Sequence, residues 1–235
     1  MMTMHPINKK EMMERGWDSV DFVLVSGDAY VDHPSFGAAI IARVLEAYGF
    51  TVAICPQPDW RKEDDLIQYG KPNLGYMVTA GNIDSMVNHY SVNKKRRIKD
   101  NYTDNGVMGK RPDRATIVYS QWIRKVMPGV PIIIGGIEAS LRRLAHYDYW
   151  DDTIRNSILM DSTADLLIYG MAENSVIEVA EAMRSGIAIE DITYIRGTVW
   201  KTKTKELPSD AIILPTFAEI KKDKDKFAKN VEFCD

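Results

Sequence analysis

Polar side chains suited to catalysis or binding recur directly after short apolar runs along this chain. Three of its four histidines, His33, His89 and His146, stand in such stretches. Asp, Ser and Asn also cap helices at such places, and a lone histidine is often a structural residue. The candidate cleft residues are Asp28, Tyr30, Asp32, His33, Ser35, Asn82, Asp84, Ser85, Asn88, His89, Tyr90, Gly135, Gly136, Glu138, Arg142, Arg143, His146, Tyr147, Asp148 and Glu173.

Metal and phosphate chemistry are two uses that this set suggests. Asp28, Asp32, His33 and His89 offer oxygen and imidazole donors for a divalent ion, but no helical ligand spacing links them, so we assign no metal site. The glycine pair at 135–136 would let the backbone approach an anion. Neither GxGxxG nor GxxxxGK[ST] is present, which argues against a dinucleotide or ordinary P-loop enzyme.

Two segments are unusual in composition. Residues 145–152 (AHYDYWDD) combine aromatic and polar groups, which suits stacking on a flat ligand or sealing an interface with another domain. Residues 94–97 (KKRR) could contact phosphates, but the run is interpreted as a solvated helix face because nothing around it resembles a nucleic-acid module. We expect no nucleic-acid partner.

The overall composition is that of an ordinary globular protein. Hydrophobic residues make up 45% and charged residues 27%, with a formal net charge of −3. No apolar run has the length of a signal peptide or a membrane span, so we expect a cytoplasmic protein without a membrane partner. Cys55 and Cys234 belong to no CxxC or CxxxCxxC pattern and cannot hold an iron–sulfur cluster. We expect both to be free thiols, with Cys55 buried at a strand end.

The elements that must position the cleft are five short apolar strands separated by helices. The strands are predicted at residues 21–27, 50–55, 76–80, 131–134 and 164–169. Helices are predicted after Pro34 up to Gly49, at 61–69, from Ile117 to Met127 and at 173–185. This alternation predicts an α/β fold, a doubly wound, mostly parallel five-stranded sheet of flavodoxin-like or cobalamin-binding-like type.

The remaining segments are predicted to lie outside this pattern. Residues 82–113 exceed the length of a simple crossover and read as a helical insertion. Residues 1–190 would form the Rossmann-like domain, and 191–235 an irregular C-terminal extension. In that extension, ITYIRGTVW predicts an antiparallel edge strand or hairpin, and 217–233 predicts a highly charged helix.

Long strings within the first 175 residues resemble the YgiQ-type radical SAM proteins of bacteria, a family of uncharacterised function. The strings are RGWDSVDFVLVSGDAYVDHPSFG (15–37), QPDW (57–60), TAGNIDSMVNHY (79–90), GKRPDRATIVY (109–119), PIIIGGIEASLRRLAHYDYWDD (131–152) and DSTADLLIYGMAE (161–173). Such unusual strings are more specific than a shared fold.

The resemblance implies a Rossmann-like module, similar to cobalamin-binding domains, that precedes a radical SAM barrel in the same polypeptide. For the full-length family it implies a [4Fe-4S] cluster held by a CxxxCxxC loop, and S-adenosylmethionine. We expect this chain to stop before that loop and to hold no cofactor itself. Its first strand-to-helix loop reads Asp32, His33, Pro34, Ser35, Phe36, Gly37 and not DxHxxG, which argues against cobalamin.

Two classes of function follow. The first is a non-catalytic accessory domain on the substrate side of the barrel, with residues 191–235 leading toward it. The alternative is a stand-alone small-molecule-binding or hydrolytic α/β enzyme acting through Asp28, His33, His89 and Glu138. No nucleophile elbow or triad spacing supports the alternative. The substrate, small molecule or macromolecule, is not specified by the sequence.

Overall fold

A six-stranded, mostly parallel sheet forms the centre of the structure, a computed structural model that describes residues 4–203 and 209–232. The spatial order is β2-β1-β3-β4-β7-β8, and only β8 runs antiparallel. A separate two-stranded hairpin is formed by β5 and β6. The strands are β1 (Phe22–Ser26), β2 (Val52–Pro56), β3 (Gly75–Thr79), β4 (Ile132–Ile134), β5 (His146–Asp148), β6 (Thr153–Arg155), β7 (Leu166–Ile168) and β8 (Thr198–Trp200).

Helices cover both faces of the sheet. They are α1 (Lys9–Glu14), α2 (Gly37–Ala47), α3 (Asp64–Ile67), α4 (Ser85–His89), α5 (Ala115–Val126), α6 (Gly136–Leu141), α7 (Ile158–Asp161), α8 (Glu173–Arg184), α9 (Phe217–Ile220) and α10 (Lys224–Glu232). Short 3-10 turns lie at Asp104–Gly106 and Ile189–Asp191. Among the described residues, no helix is both long and apolar enough to cross a bilayer.

The apolar strands are buried on both sides because each face supplies one core. Val23 and Ile132 pack under α5 with Tyr119, whereas Leu24 and Met77 pack under α2 and α8 on the opposite face. Side chains alternate between the two faces along a strand. This two-sided burial explains why the strands read as continuous apolar runs.

The predicted fold class is confirmed: all five predicted strands form, and they are parallel to one another. The sheet has a sixth strand, because Thr198–Trp200 within ITYIRGTVW pairs antiparallel with β7 at the edge. The helix expected from Ile117 to Met127 is α5. Cys55 is buried, whereas Cys234 lies outside the described residues.

Three predicted helical segments differ from the structure. The helix at 61–69 shrinks to α3, since the side chains of Asp59 and Asp65 hold the preceding residues in turns. The insertion at 82–113 contains only the five-residue α4 and one 3-10 turn. The helix at 217–233 is split into α9 and α10, because Asp223 accepts the amide hydrogens of Asp225 and Lys226 and starts a new helix. The domain division near residue 190 stays a prediction.

Candidate functional site

The strand order reverses between β1 and β3, so the loops that leave their carboxyl ends diverge at that point. Ligands of open α/β sheets bind at such a switch point. Here Asn82, after β3, joins the two loops. Its backbone nitrogen donates to Asp28 Oδ2 at 2.7 Å, and its side-chain Nδ2 donates to the Ser35 carbonyl at 2.7 Å. Its Oδ1 accepts from Gly37 N at 3.1 Å, at the start of α2.

A buried ion cluster lies beneath these loops. Arg111 contacts Asp28 Oδ1 at 2.9 Å and Asp100 Oδ2 at 3.2 Å, and it donates to the Ala80 carbonyl at 2.6 Å. All three charged side chains are buried. Burial raises the pKa of Asp28 above its usual value, against the opposing effect of the Arg111 guanidinium. The cluster therefore ties the insertion to the carboxyl ends of β1 and β3.

A second buried cluster joins the loops after β3 and β4. Glu138 Oε2 accepts from Ser85 N at 2.8 Å and from Ser85 Oγ at 2.5 Å, while its Oε1 accepts from Thr116 N at 3.0 Å. Ser85 Oγ in turn accepts from Ala115 N at 3.1 Å. A carboxylate at the amino end of α5 is also favoured by the helix dipole. Glu138 is thus committed to positioning three segments.

The short helix α4 contains three of the predicted residues, Ser85, Asn88 and His89, and two more, Asp84 and Tyr90, flank it. Asp84 caps it by accepting from Met86 N at 2.9 Å, and it forms an ion pair with Arg142. Asn88 and His89 are buried within it.

Beside α4, Asp113 accepts from Tyr90 Oη at 2.7 Å and lies 2.6 Å from Nδ1 of the buried His89. The remaining nitrogen of that imidazole, Nε2, has no partner among the described residues. Asp113 therefore joins two of the predicted cleft residues on one carboxylate.

Four predicted residues after β1 lie further out. Asp32 forms an ion pair with Arg43, and His33 Nδ1 accepts from Ser35 N at 3.1 Å in an exposed turn. Tyr30 Oη accepts from His5 N at 3.2 Å.

The β5–β6 hairpin holds the last group. Asp148 contacts Arg114 Nη2 at 2.7 Å and also forms an ion pair with Arg155. Burial raises the pKa of Asp148, but these partners outweigh burial and lower it to about 2. Burial lowers the pKa of His146, and Tyr147 Oη donates to an exposed aspartate of the same hairpin. Arg143 lies 5.0 Å from the centre of the Tyr169 ring.

An apolar cavity of about 280 Å³ opens at the carboxyl edge of the sheet between α2 and α8. Its walls come from residues of the four adjacent strands β1, β3, β4 and β7 and from the two helices. They include Leu24, Ile41, Met77, Ile133, Ile168 and Val176. Sequence reasoning missed these walls because a cavity-facing apolar side chain and a core side chain follow the same pattern.

Four of the predicted residues line the mouth of this cavity: Asn82, Gly135, Gly136 and Glu173. Gly136 has φ +80°, and a Cβ there would come within 2.4 Å of Thr79 Oγ1, so glycine is required for the close approach. The Glu173 carboxylate, in the first turn of α8, has no hydrogen-bond or ion-pair partner among the described residues. The mouth therefore offers one uncommitted charge beside an apolar interior.

The structure thus distributes the predicted residues over more than one hollow. Glu138, Arg142, His146 and Asp148 line a separate small hollow of about 10 Å³ together with Arg114. Most of the predicted charged side chains form ion pairs or hydrogen bonds with each other or with residues that sequence reasoning missed. Those missed residues are Arg111, Asp100, Asp113 and Arg114. The only signal for Arg111 and Asp113 was their place in the string GKRPDRATIVY. No three His, Cys, Asp or Glu side chains of the described residues group as metal ligands.

Comparisons with curated proteins identify relatives of greater length. A UPF0313 protein of Clostridium perfringens is 55% identical over 225 residues, which cover 95% of this chain and 34% of that protein. A UPF0313 protein of Clostridium botulinum is 52% identical over 224 residues, covering 95% and 35%. The chain therefore spans about a third of the length of the curated relatives it matches.

Solved structures share the fold. The radical S-adenosylmethionine methyltransferase TsrM from Kitasatospora setae, with tryptophan substrate and a SAM analogue bound, superposes with a TM-score of 0.51 at 17% identity, covering 77% of this chain and 28% of that one. TsrM with cobalamin and a [4Fe-4S] cluster bound gives 0.51 at 18% identity, covering 79% and 28%. The sequence model of the radical SAM N-terminal family matches residues 4–235. This chain therefore belongs to the radical SAM N-terminal family.

Proposed function

We propose that this chain is the accessory domain of a longer radical SAM protein, and that its apolar cavity holds part of a small molecule handled by the whole protein. The position of the cavity carries the proposal, since it opens at the carboxyl edge where α/β sheets bind ligands. Its volume lies near the lower end for small-molecule pockets. In this proposal residues 191–235 lead toward the barrel.

The loops around the cavity are suited to a preformed site. Asn82 joins the loops after β1 and β3, and Gly170 N donates to Ser140 Oγ at 3.1 Å, which joins the loop after β7 to α6. A site whose walls are fixed before binding loses less conformational entropy when the ligand enters. The predicted polar residues would then serve mainly to hold the edge of the sheet in shape.

The residues present do not fit an iron–sulfur cluster. Cys55 is buried under α3, and burial raises its thiol pKa well above the usual range, which disfavours the thiolate that binds iron. The proposal therefore assigns the cluster and S-adenosylmethionine to the rest of the polypeptide.

Cobalamin is bound in one of the two TsrM structures. No histidine lines the cavity, and His33 is exposed with Nδ1 already accepting from Ser35 N. We propose that cobalamin does not bind this chain with useful affinity, because His33 is not placed to act as a cobalt ligand. Titration with hydroxocobalamin, followed by its visible spectrum, should give no saturable shift. A saturable shift that disappears in His33→Ala would contradict this.

The alternative of a stand-alone hydrolase finds no support in these contacts. Asp28, His33, His89 and Glu138 hydrogen-bond to four different sets of partners. No serine or cysteine nucleophile is paired with a histidine base among the described residues, which is the arrangement that activates such nucleophiles.

The test of the cavity is to fill it. Ligand-observed NMR with a library of small aromatic and aliphatic compounds should detect weak binders to the chain, and Ile41→Trp, which places an indole in the cavity, should abolish their signals. Ile98→Trp is the matched control, because Ile98 is 97% exposed and distant in sequence from the cavity lining. Binders that survive Ile41→Trp, or an absence of binders, would contradict the proposal.

A further inference from the structure

Six exposed cations lie between α4 and α5 without a carboxylate to neutralise them. They are Lys94, Lys95, Arg96, Arg97, Lys99 and Lys110. None forms an ion pair with a described residue. Of the two carboxylates in residues 92–110, Asp100 is buried on Arg111 and only Asp104 is exposed. On a chain of net charge −3, this is a local surface that attracts anions.

All of these cations except Lys110 lie on a fixed turn: they are exposed to solvent as predicted, but the expected helix is absent. Residues 91–99, here the basic loop, fold back so that Tyr90 and Arg96 form a β-bridge. Arg97 N donates to the His89 carbonyl at 2.7 Å, and Ser91 N donates to the Lys95 carbonyl at 2.9 Å. The carboxyl end of α4, where His89 is buried, therefore anchors the loop that carries these charges.

Aromatic side chains from the hairpin at residues 146–155 pack beside the basic loop. Lys94 Nζ lies 5.1 Å from the centre of the Tyr149 ring and donates to the Trp150 carbonyl at 2.8 Å. Tyr149 Oη donates to the Val92 carbonyl at 2.7 Å, which locks the two segments together. Tyr147 and Tyr149 remain 47% and 55% exposed. The exposed ring of Tyr149 thus stands next to Lys94, and the exposed ring of Tyr147 lies two residues earlier on the same hairpin.

We propose that this face binds single-stranded nucleic acid, with the basic loop contacting phosphates and the exposed tyrosines stacking on bases. A positively charged surface combined with aromatic platforms is how proteins bind single strands without reading sequence. An acidic peptide would use the cations but leave the rings without a partner of matching shape. A duplex hides its base faces, so it would also use only the charges. This proposal is independent of the cavity.

The test is fluorescence anisotropy of labelled single-stranded RNA and DNA, each about 12 nucleotides long, titrated with the 235-residue chain. Log affinity should fall linearly with log salt, with a slope of about −0.7 for each phosphate contacted. The triple variant Lys95→Ala, Arg96→Ala, Arg97→Ala should bind at least about tenfold more weakly at low salt and reduce the slope by about 2.

Matched variants separate this site from general charge effects. Lys9→Ala, Lys10→Ala, Lys71→Ala removes the same charge from exposed residues in α1 and in the loop that enters the amino end of β3, whereas the basic loop follows the carboxyl end of β3. This variant should leave binding within about twofold, because a remote charge is largely screened. Tyr147→Ala should weaken binding about tenfold without changing the salt slope, since stacking releases no counterions.

Four results would overturn the proposal. They are no binding at low salt, an equal loss of affinity in the basic-loop triple variant and the control triple variant, no effect of Tyr147→Ala, and equal affinity for a polyaspartate peptide. The last would mark an acidic-peptide surface instead. A preference between the RNA and DNA strands would identify which polynucleotide the face favours, and either preference supports it.

Discussion

Replacing Arg111 by methionine would leave two buried carboxylates without their shared counter-ion. Arg111 is 1% exposed, and Asp28 and Asp100 are 3% and 0% exposed. Removing one partner from a buried ion pair costs about 3–5 kcal/mol, because the remaining charge stays desolvated. We expect the free energy of unfolding to fall by about that amount in urea denaturation. The insertion should also lose protection from hydrogen exchange, since Arg111 joins it to the carbonyl of Ala80.

The charge-free variant Arg111→Met, Asp28→Asn, Asp100→Asn isolates this cause. It keeps acceptors for Asn82 N and Tyr102 N, so we expect it to recover more than half of the lost stability. The deficit of the single variant should also shrink between about pH 7 and pH 5. Burial already raises the pKa of Asp28, and loss of the opposing Arg111 guanidinium raises it further, so protonation of Asp28 stabilises the folded form as pH falls.

Arg96→Met is the matched control, because it removes an exposed arginine that has no ion-pair partner among the described residues, and its effect should stay within about 0.5 kcal/mol. A loss below about 1 kcal/mol in Arg111→Met, or an equal deficit at both pH values, would refute the reasoning that buried charge dominates.

Four further outcomes follow. The pKa of Asp148 is lowered to about 2, so this carboxylate stabilises the fold above its unfolded pKa, and that stability is lost as pH falls toward about 2. In Asp148→Asn the free energy of unfolding in urea should therefore depend less on pH over that window. An unchanged dependence on pH would contradict this. Gly81→Ala should lower the free energy of unfolding by at least about 2 kcal/mol, because φ is +107° and the new Cβ would lie 2.1 Å from Asp28 Oδ1. Gly170→Ala, where a Cβ would meet open space, should lower it by only about 1 kcal/mol in thermal unfolding. In a Cys234→Ser background, Cys55 should react with a thiol reagent only when the chain unfolds, since it is buried with a raised pKa. Anaerobic reconstitution with iron and sulfide should leave the chain colourless, and a stable brown species with stoichiometric iron would contradict that expectation.

The sequence by itself determined the strands and most of the longer helices. Continuous apolar runs such as residues 21–27 predict strands buried on both faces, and the spacing of Ile123 with Tyr119 in α5 follows the helical repeat. These patterns are local, so they survive without knowledge of the fold. The family followed from long strings whose residues are read directly. The parallel order of the strands also placed the polar loops at one edge before any contact was known.

Only the tertiary structure decided which polar residues pair and where space remains. Asp28 meets Arg111 and Glu138 meets Thr116 across large separations in sequence, and no periodic pattern encodes such pairs. The cavity between α2 and α8 depends on how far two helices stand apart above the sheet, a distance set by all of their packing contacts together. The short segments α3 and α4 were mispredicted for the same reason, because side-chain hydrogen bonds from Asp59, Asp65 and Asp84 fix their ends. Non-local contacts outweigh weak local propensities in such short elements, and this is why the site required the folded chain.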